Sequence, residues 1–486
     1  MFQKIKELSK KTGRALSKFS PQQNLLYGFI AYVLLGSILL CLPGFQKQSV
    51  SILDHIFTST SAVSTTGLVT VSVLETYTFW GQLVILILFQ VGGIGYLTFT
   101  TFVILSTTHN ITNWHKKVIS TEFTLPKTIK IRDFLRSVVV FTLTMELIGT
   151  ILLFIVFKDD NTDILDTLWS AIFHSISAFC TAGFSLFNNS FTEYSTNGYV
   201  NLIISMLAIA GSLGFIVITD IGLRIKDRKH KLSFTTKVIF IGFVILLTSG
   251  TAFLYFLEPT ITGLNDGNRF LAAFFQSMTS MTTVGFSTVK VGLFSQAMLL
   301  VCIFLMYVGA SPSGTAGGIK ITTLVTAFAV LRSRLKGRKE VTFLNNQIPE
   351  KRISIATSAF IFYTTLIAVG TFAITLTNTF NFQAILFEVA SALGTVGLTT
   401  GITSDLNNFG KILIIVLMFI GRLGVVTFGL AVWAKSLDDE AEEKGEGDNE
   451  DEEAGSPEQE RHGADKHEDE TENEDDVDED EEDIAV

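Results

Sequence analysis

The chain has 486 residues, of which 48% are hydrophobic and only 17% charged. A mean hydropathy of +0.44, with several apolar runs of about twenty residues or longer, indicates a polytopic membrane protein and excludes a soluble enzyme or a nucleic-acid-binding domain. The formal charge of −10 divides unevenly: residues 1–436 hold 33 Lys/Arg against 19 Asp/Glu, a balance of +14, and residues 437–486 hold 3 against 27, a balance of −24.

In chain order, residues 1–24 form a basic segment (Lys4, Lys6, Lys10, Lys11, Arg14, Lys18), read either as a helix on the inner membrane face or as a plain positive flank. Residues 25–105 make a first unit: a span at 25–42 ended by Pro43-Gly44, a short apolar run at 52–63, and a span at 79–105. A polar linker, 106–134, follows. The second unit, 135–222, has spans at 135–157 and 199–222 around a short run at 165–179. After a linker at 223–237, the third unit, 238–331, has a span at 238–257, a short run at 269–281 and a long segment at 295–331. A linker at 332–352 precedes the fourth unit, 353–434, with spans at 353–377 and 409–434 around a short run at 381–393. Residues 435–486 are an acidic tail without aromatics, expected to be disordered.

Each short run ends in the same heptapeptide: SAVSTTG (Ser61–Gly67), SAFCTAG (Ser177–Gly183), TSMTTVG (Thr279–Gly285) and SALGTVG (Ser391–Gly397). A second marker recurs in the helix that follows: Gly92-Gly93-Ile94-Gly95, Gly211-Ser212-Leu213-Gly214, Gly309-Ala310-Ser311-Pro312 and Gly421-Arg422-Leu423-Gly424. Two markers repeating in register predict an all-α membrane protein of four tandem helix–pore loop–helix repeats with eight transmembrane helices. Every unit spans twice, so all four share one orientation and fit around a pseudo-fourfold axis. The Lys/Arg-rich connections all follow second helices. The positive-inside rule therefore puts them and both termini in the cytoplasm and lets the loops enter from outside.

Non-helical backbone at membrane depth is tolerated where it is buried or lines a wet cavity, and four loops on one axis make such a cavity. Carbonyls turned inward can replace a cation's hydration shell, and glycine adopts the backbone angles this needs. The expected filter is Thr65, Thr66 and Gly67; Thr181, Ala182 and Gly183; Thr283, Val284 and Gly285; Thr395, Val396 and Gly397. Oxygen ligands without a carboxylate favour a monovalent cation. The competing reading, small residues that only pack helices, weakens when four loops agree. Thr58, His174, Gln276 and Glu388, nine residues before the glycines, are expected to brace the loops by hydrogen bonds, the alternative being a helix face that merely accepts polar residues. Asp54 and Asp166 read as helix caps, with attraction of cations to the outer mouth as the alternative, and Asp220 with Arg224 as an i, i+4 pair.

Residues 295–331 as one helix would reach about 55 Å against a core of about 30 Å. The middle of this segment cannot be stable helix: Gly309, Ser311, Pro312, Ser313, Gly314, Thr315, Gly317 and Gly318 form a break, read as a gate across the pore, with Lys320 starting the next helix. Arg422 lies deep in an apolar helix, where a charge marks a pathway or a buried partner. It is expected to face the axis below the filter, holding carbonyls of 309–318 or blocking leak, with a pair to Glu146 or Glu388 as the alternative.

These motifs make the chain resemble the Trk/Ktr/HKT superfamily of potassium transporters over about residues 10–436. Thr283-Val284-Gly285-Phe286 and Thr395-Val396-Gly397-Leu398 look like the opening of a potassium-channel filter, whose later glycine is absent here. The resemblance implies a selectivity glycine at Gly67, Gly183, Gly285 and Gly397, an intramembrane gating loop at 309–318, and K+ preferred over Na+. With one helix before its first loop, the chain looks like the Ktr membrane subunit. That implies K+ uptake across the plasma membrane driven by the membrane potential, with or without Na+ symport, and a homodimer. It also implies a separate cytosolic ring of RCK/KTN-type regulators, which would carry the nucleotide; no covalent cofactor is expected. Alternatives are a sodium or mixed-cation permease and a non-conducting membrane sensor. The acidic tail departs from the family pattern.

Overall fold

The computed structural model describes residues 20–95, 131–158, 163–309 and 311–433. The basic N-terminal segment, the far end of the 79–105 span, residues 106–130, Ala310 and the acidic tail lie outside the described residues. The described residues between 21 and 432 fall in one compact unit, and their regular elements are helices apart from a hairpin pairing Thr342–Phe343 with Asn346–Gln347.

Four long helices, α1 (Pro21–Cys41), α4 (Ile131–Phe157), α8 (Phe234–Leu257) and α12 (Glu350–Thr377), are apolar over their length and only 28–39% buried. They expose bulky side chains such as Leu34, Ile38, Leu147, Ile151, Phe253, Phe256, Ile361 and Phe372. A hydrocarbon solvent explains such a surface; water does not. Between them lie four shorter helices, α2 (Ile52–Val63), α5 (Ile164–Phe179), α9 (Asp266–Thr282) and α13 (Phe382–Leu393). These carry polar residues yet are buried almost throughout their second halves.

Small residues let long and short helices touch. A Cβ on Gly36 would strike Ser59 and Leu88; on Gly149, Ser175 and Leu207; on Gly250, Ser277 and Leu305. At each of these contacts the serine hydroxyl donates to a carbonyl one turn earlier on the long helix: Ser59 to Val33 O (2.8 Å), Ser175 to Glu146 O (2.7 Å), Ser277 to Leu247 O (3.1 Å). Gly370 takes the same position with Val389 in place of the serine. Close backbone approach with a polar link is how helices associate where no water drives them together.

The third element of each unit is α3 (Phe79–Ile94), α6 (Gly198–Ser212), α10 (Gln296–Tyr307) and α14 (Asn408–Leu423). Thr78, Asn197, Ser295 and Asn407 cap them, each accepting from a backbone N–H of the first turn. Here the structure departs from the sequence reading, which expected continuous spans at 199–222 and 409–434. α6 turns by 95° into α7 (Phe215–Lys226), and α14 turns by 99° into α15 (Val425–Trp433). The turns fall at Gly214 (φ 85°) and Gly424 (φ 82°), and α3 ends at Gly95 (φ 88°), a backbone hand that L side chains resist. Four described helices are long and apolar enough to cross a membrane, or six if each bent pair is one span.

Two polar expectations are corrected. The caps are Ser51 and Asp163; Asp54 instead pairs with Lys411 Nζ on α14 at 2.8 Å, both side chains nearly buried. Asp220 bonds His230 Nε2 (2.7 Å) and Ser233 N (2.9 Å), and Arg224 donates to the carbonyls of Arg228 and His230. Those loop groups are closer to hand than the i, i+4 partner.

Candidate functional site: a ring of four loops between two cavities

Each short helix runs into its heptapeptide with the same change of backbone hand. Thr65, Thr181, Thr283 and Thr395 have φ of 52°, 49°, 56° and 48°, and Gly67, Gly183, Gly285 and Gly397 have φ of 89°, 67°, 80° and 89°. A left-handed β-branched residue is a genuine outlier, costing of the order of 1–3 kcal/mol, and persists only where surroundings enforce it. The residue between each Thr and Gly has ordinary φ, so the hand alternates residue by residue. Alternation of this kind turns successive carbonyls towards one side.

The loops close on one another in sequence order. A Cβ on Gly67 would meet Ala182 O, on Gly183 Val284 O, on Gly285 Val396 O, and on Gly397 Thr66 O. Each such Cβ would also lie 2.9, 3.3, 3.1 and 3.1 Å from the Cα of the next glycine. The fourth loop thus abuts the first, and any side chain at these four positions would strike a neighbouring carbonyl.

The first residue of each heptapeptide fastens the loop to its helix, a role the sequence reading left unassigned. Ser61 Oγ accepts from Gly67 N (3.0 Å) and Ser391 Oγ from Gly397 N (3.1 Å). Ser177 Oγ donates to Phe184 O (2.8 Å) and Thr279 Oγ1 to Phe286 O (2.7 Å). The residue after each glycine is a second anchor: Leu68, Phe184, Phe286 and Leu398 are all buried. Both signals recur in the sequence as a Ser/Thr six residues before each glycine and an apolar residue after it.

The four polar residues nine before the glycines separate. Glu388 accepts from Thr399 Oγ1 (2.5 Å), Thr400 N (3.0 Å) and Thr403 Oγ1 (2.8 Å). His174, stacked on Phe187, places Nε2 3.2 Å from the donating Leu186 N and 3.0 Å from Ser185 Oγ. These two hold the outer strand of their own loops. Gln276 and Thr58 are buried without such bonds. The third loop is held from outside its unit instead, by Ser190 Oγ accepting from Ser287 N (3.1 Å) and by Phe191 N donating to Ser287 O (3.0 Å).

Two cavities flank the ring. One, of about 550 Å³, is lined by all four glycines and by the segments after them. The other, of about 210 Å³, is lined by Gly92, Gly93, Ser313, Gly314, Ala316, Gly317, Lys320 and Arg422 among others. Between ring and second cavity runs the chain from Gly309 to Ile319. Thr181 Oγ1 donates to Thr315 Oγ1 (3.1 Å), Gly317 N donates to Thr283 Oγ1 (3.1 Å), and a Cβ on Gly317 would strike Thr395 Oγ1. The segment therefore touches three of the four loop threonines. Ser311 N donates to Ser212 O (3.2 Å) and Thr315 N to Gly211 O (3.1 Å), pinning it to α6.

Two cations hold its carbonyls. Arg422 donates to Thr315 O of the third unit and to Gly92 O and Gly93 O of the first. Lys320 Nζ donates to Ala316 O (2.5 Å) and Gly317 O (3.3 Å); the sequence reading had placed Lys320 only as a helix start. Neither carboxylate named as an alternative partner of Arg422 is bonded to it. Glu146 accepts from Gln90 Nε2 (3.1 Å), and Glu388 is engaged as above. Gly92, Gly211 and Gly421 press on Val63 O, Phe179 O and Leu393 O, where their short helices end, whereas Gly309 presses on Gly317 O of its own segment. The third unit is the one whose glycine is given over to the loop.

Comparison with known proteins bears on the family and the fold. The TrkH family, described as cation transport protein, matches residues 10–443. The chain is 33% identical over 416 residues to Ktr system potassium uptake protein B of Bacillus subtilis (strain 168), covering 85% of this chain and 92% of the relative. It is 33% identical over 407 residues to the protein of the same name from Vibrio alginolyticus (83% and 89%). It is 32% identical over 443 residues to potassium/sodium uptake protein NtpJ of Enterococcus hirae (89% and 97%). The crystal structure of the potassium transporter TrkH from Vibrio parahaemolyticus superposes with a TM-score of 0.68 over 84% of each chain at 18% identity, which bears on fold alone. With a family match along nearly the whole membrane body and a TrkH-like helical fold, the chain belongs to the TrkH family of cation transport proteins, a family of transporters and not of enzymes.

Proposed function

We propose that this chain is the pore-forming membrane subunit of a potassium uptake system, and that the ring of loops is its selectivity filter. The observation that carries the reading is the cyclic contact of the four glycines, each against the carbonyl of the next loop. In this reading the four units surround a pseudo-fourfold axis with eight membrane crossings. K+ enters from the 550 Å³ cavity, exchanges water for carbonyls of Thr65–Gly67, Thr181–Gly183, Thr283–Gly285 and Thr395–Gly397, and leaves through the 210 Å³ cavity. The segment 309–318, held by Arg422 and Lys320, is the gate below the filter.

The setting follows from the same reading. The protein sits in the plasma membrane with its Lys/Arg-rich connections inside, and the membrane potential draws the cation in. The names of the Ktr-system relatives support partner components, here proposed as a second copy of the chain and a cytosolic nucleotide-binding ring that moves the gate.

One observation favours a second reading. NtpJ, 32% identical, is named for potassium and sodium, so Na+ is the competing cargo or co-substrate. Uptake in cells lacking their own K+ systems separates the two. The filter reading predicts K+ uptake that persists in excess Na+; equal competition by Na+ would make the chain a mixed-cation permease.

A further inference from the structure

Among the described residues, one charged residue lines the outer cavity, and its sign is that of the cargo. Lys290 is exposed and shares the cavity wall with all four loop glycines. Its backbone is seated firmly. It precedes the one-turn 3-10 helix Val291–Leu293, Val291 is buried, and a Cβ on Gly292 would meet Thr400 O, on the outer strand of the fourth loop. Lys290 therefore cannot drift from the rim of the ring. Its ammonium takes part in neither of the ion pairs among the described residues, Asp54–Lys411 and Asp220–His230. The carboxylate of Glu75 stands behind the wall, accepting from Asn188 Nδ2 (2.7 Å), and does not itself line the cavity.

We propose that Lys290 is a tethered cation of the outer cavity that competes with the incoming monovalent cation and sets the apparent affinity of uptake. A primary ammonium is a compact monovalent cation with three donors. The carbonyl and hydroxyl oxygens that draw K+ from water accept from it equally well. Even when it does not touch them, a fixed positive charge in a low-dielectric cleft lowers the local concentration of free cations. The inference rests on reading this cavity as the mouth through which the ion arrives.

The test is K+ influx into liposomes holding the purified full-length chain, measured against K+ concentration at low and high choline chloride. The variants are Lys290→Arg, Lys290→Gln and Lys290→Glu. KM is expected to fall about threefold in Lys290→Gln and about tenfold in Lys290→Glu, with maximal rate little changed, Lys290→Arg like the parent, and the differences shrinking at high salt. Equal KM in all four proteins, beside normal influx by the parent, would overturn the inference and leave the functional reading standing. So would KM shifts equal in Gln and Glu and indifferent to salt, which would be effects of shape. No K+ influx by the parent chain would overturn both.

Discussion

Arg422 shows how much one residue can decide in a membrane. A guanidinium is costly at that depth, and this one donates to carbonyls from two other units: Thr315 of the break and Gly92 with Gly93 of α3. Hydrogen bonds to a charged group are worth about 1.5–3 kcal/mol each. Losing them should shift the segment 309–318 away from the filter by a factor of roughly ten or more in population. Arg422→Gln is therefore expected to raise K+ flux through reconstituted protein about tenfold, and Arg422→Lys, with a point charge in place of the fork, by less. Unchanged flux in a folded Arg422→Gln protein would remove the residue from the gate. That Arg422 matters was legible from charge and depth. Its hold on a carbonyl of 309–318 was among the expected outcomes; its bonds to Gly92 O and Gly93 O were not, because backbone oxygens of a distant segment leave no trace in side-chain type. Lys320 was passed over for the opposite reason: it stands at the edge of a helix, where a lysine needs no explanation.

At the scale of elements, the short helices and their heptapeptides were the most legible feature, since Ser/Thr, Thr and Gly recur at fixed offsets and the Thr and Gly each take one backbone geometry in all four loops. The bends were not. The marker following each loop was read as a register mark. In the first, second and fourth units it is a Gly-x-x-Gly whose first glycine packs on the end of the short helix and whose second has the positive φ, ending α3 or turning α6 and α14. Small residues are common in membrane helices, so a single glycine there does not announce a turn. The third unit has Pro312 where the others have the second glycine, and its chain leaves the helix altogether between Tyr307 and Ile321. Contacts of this segment with Thr181, Thr283 and Thr395 put it directly against the ring of loops. Deleting Ser311–Gly317 is expected to raise flux and to make a further Arg422→Gln change silent, because both act on the same element. Additive effects in liposome flux would show that Arg422 works elsewhere.

Among the described residues the unit from Pro21 to Val432 is layered: long apolar helices with exposed bulky side chains, short buried helices, and four loops that meet one another. Internal repetition made the layering legible from sequence; the number of crossings was less so, since bent and broken helices blur the boundary between a span and a re-entrant piece. Closure of the ring depends on the fourth unit reaching the first, which Gly397 does at the centre against Thr66 O and Lys411 does at the rim with Asp54. No local motif encodes that meeting; it follows only once four units are set around one axis. The central claim is that the four glycines form one ion filter. Its most direct measurement is the K+ to Na+ flux ratio in liposomes for Gly67→Ser, Gly183→Ser, Gly285→Ser and Gly397→Ser, each verified as folded. Every one of the four is expected to lower that ratio, because a Cβ at any position would displace the carbonyl of the next loop. Parental selectivity in all four would contradict the account.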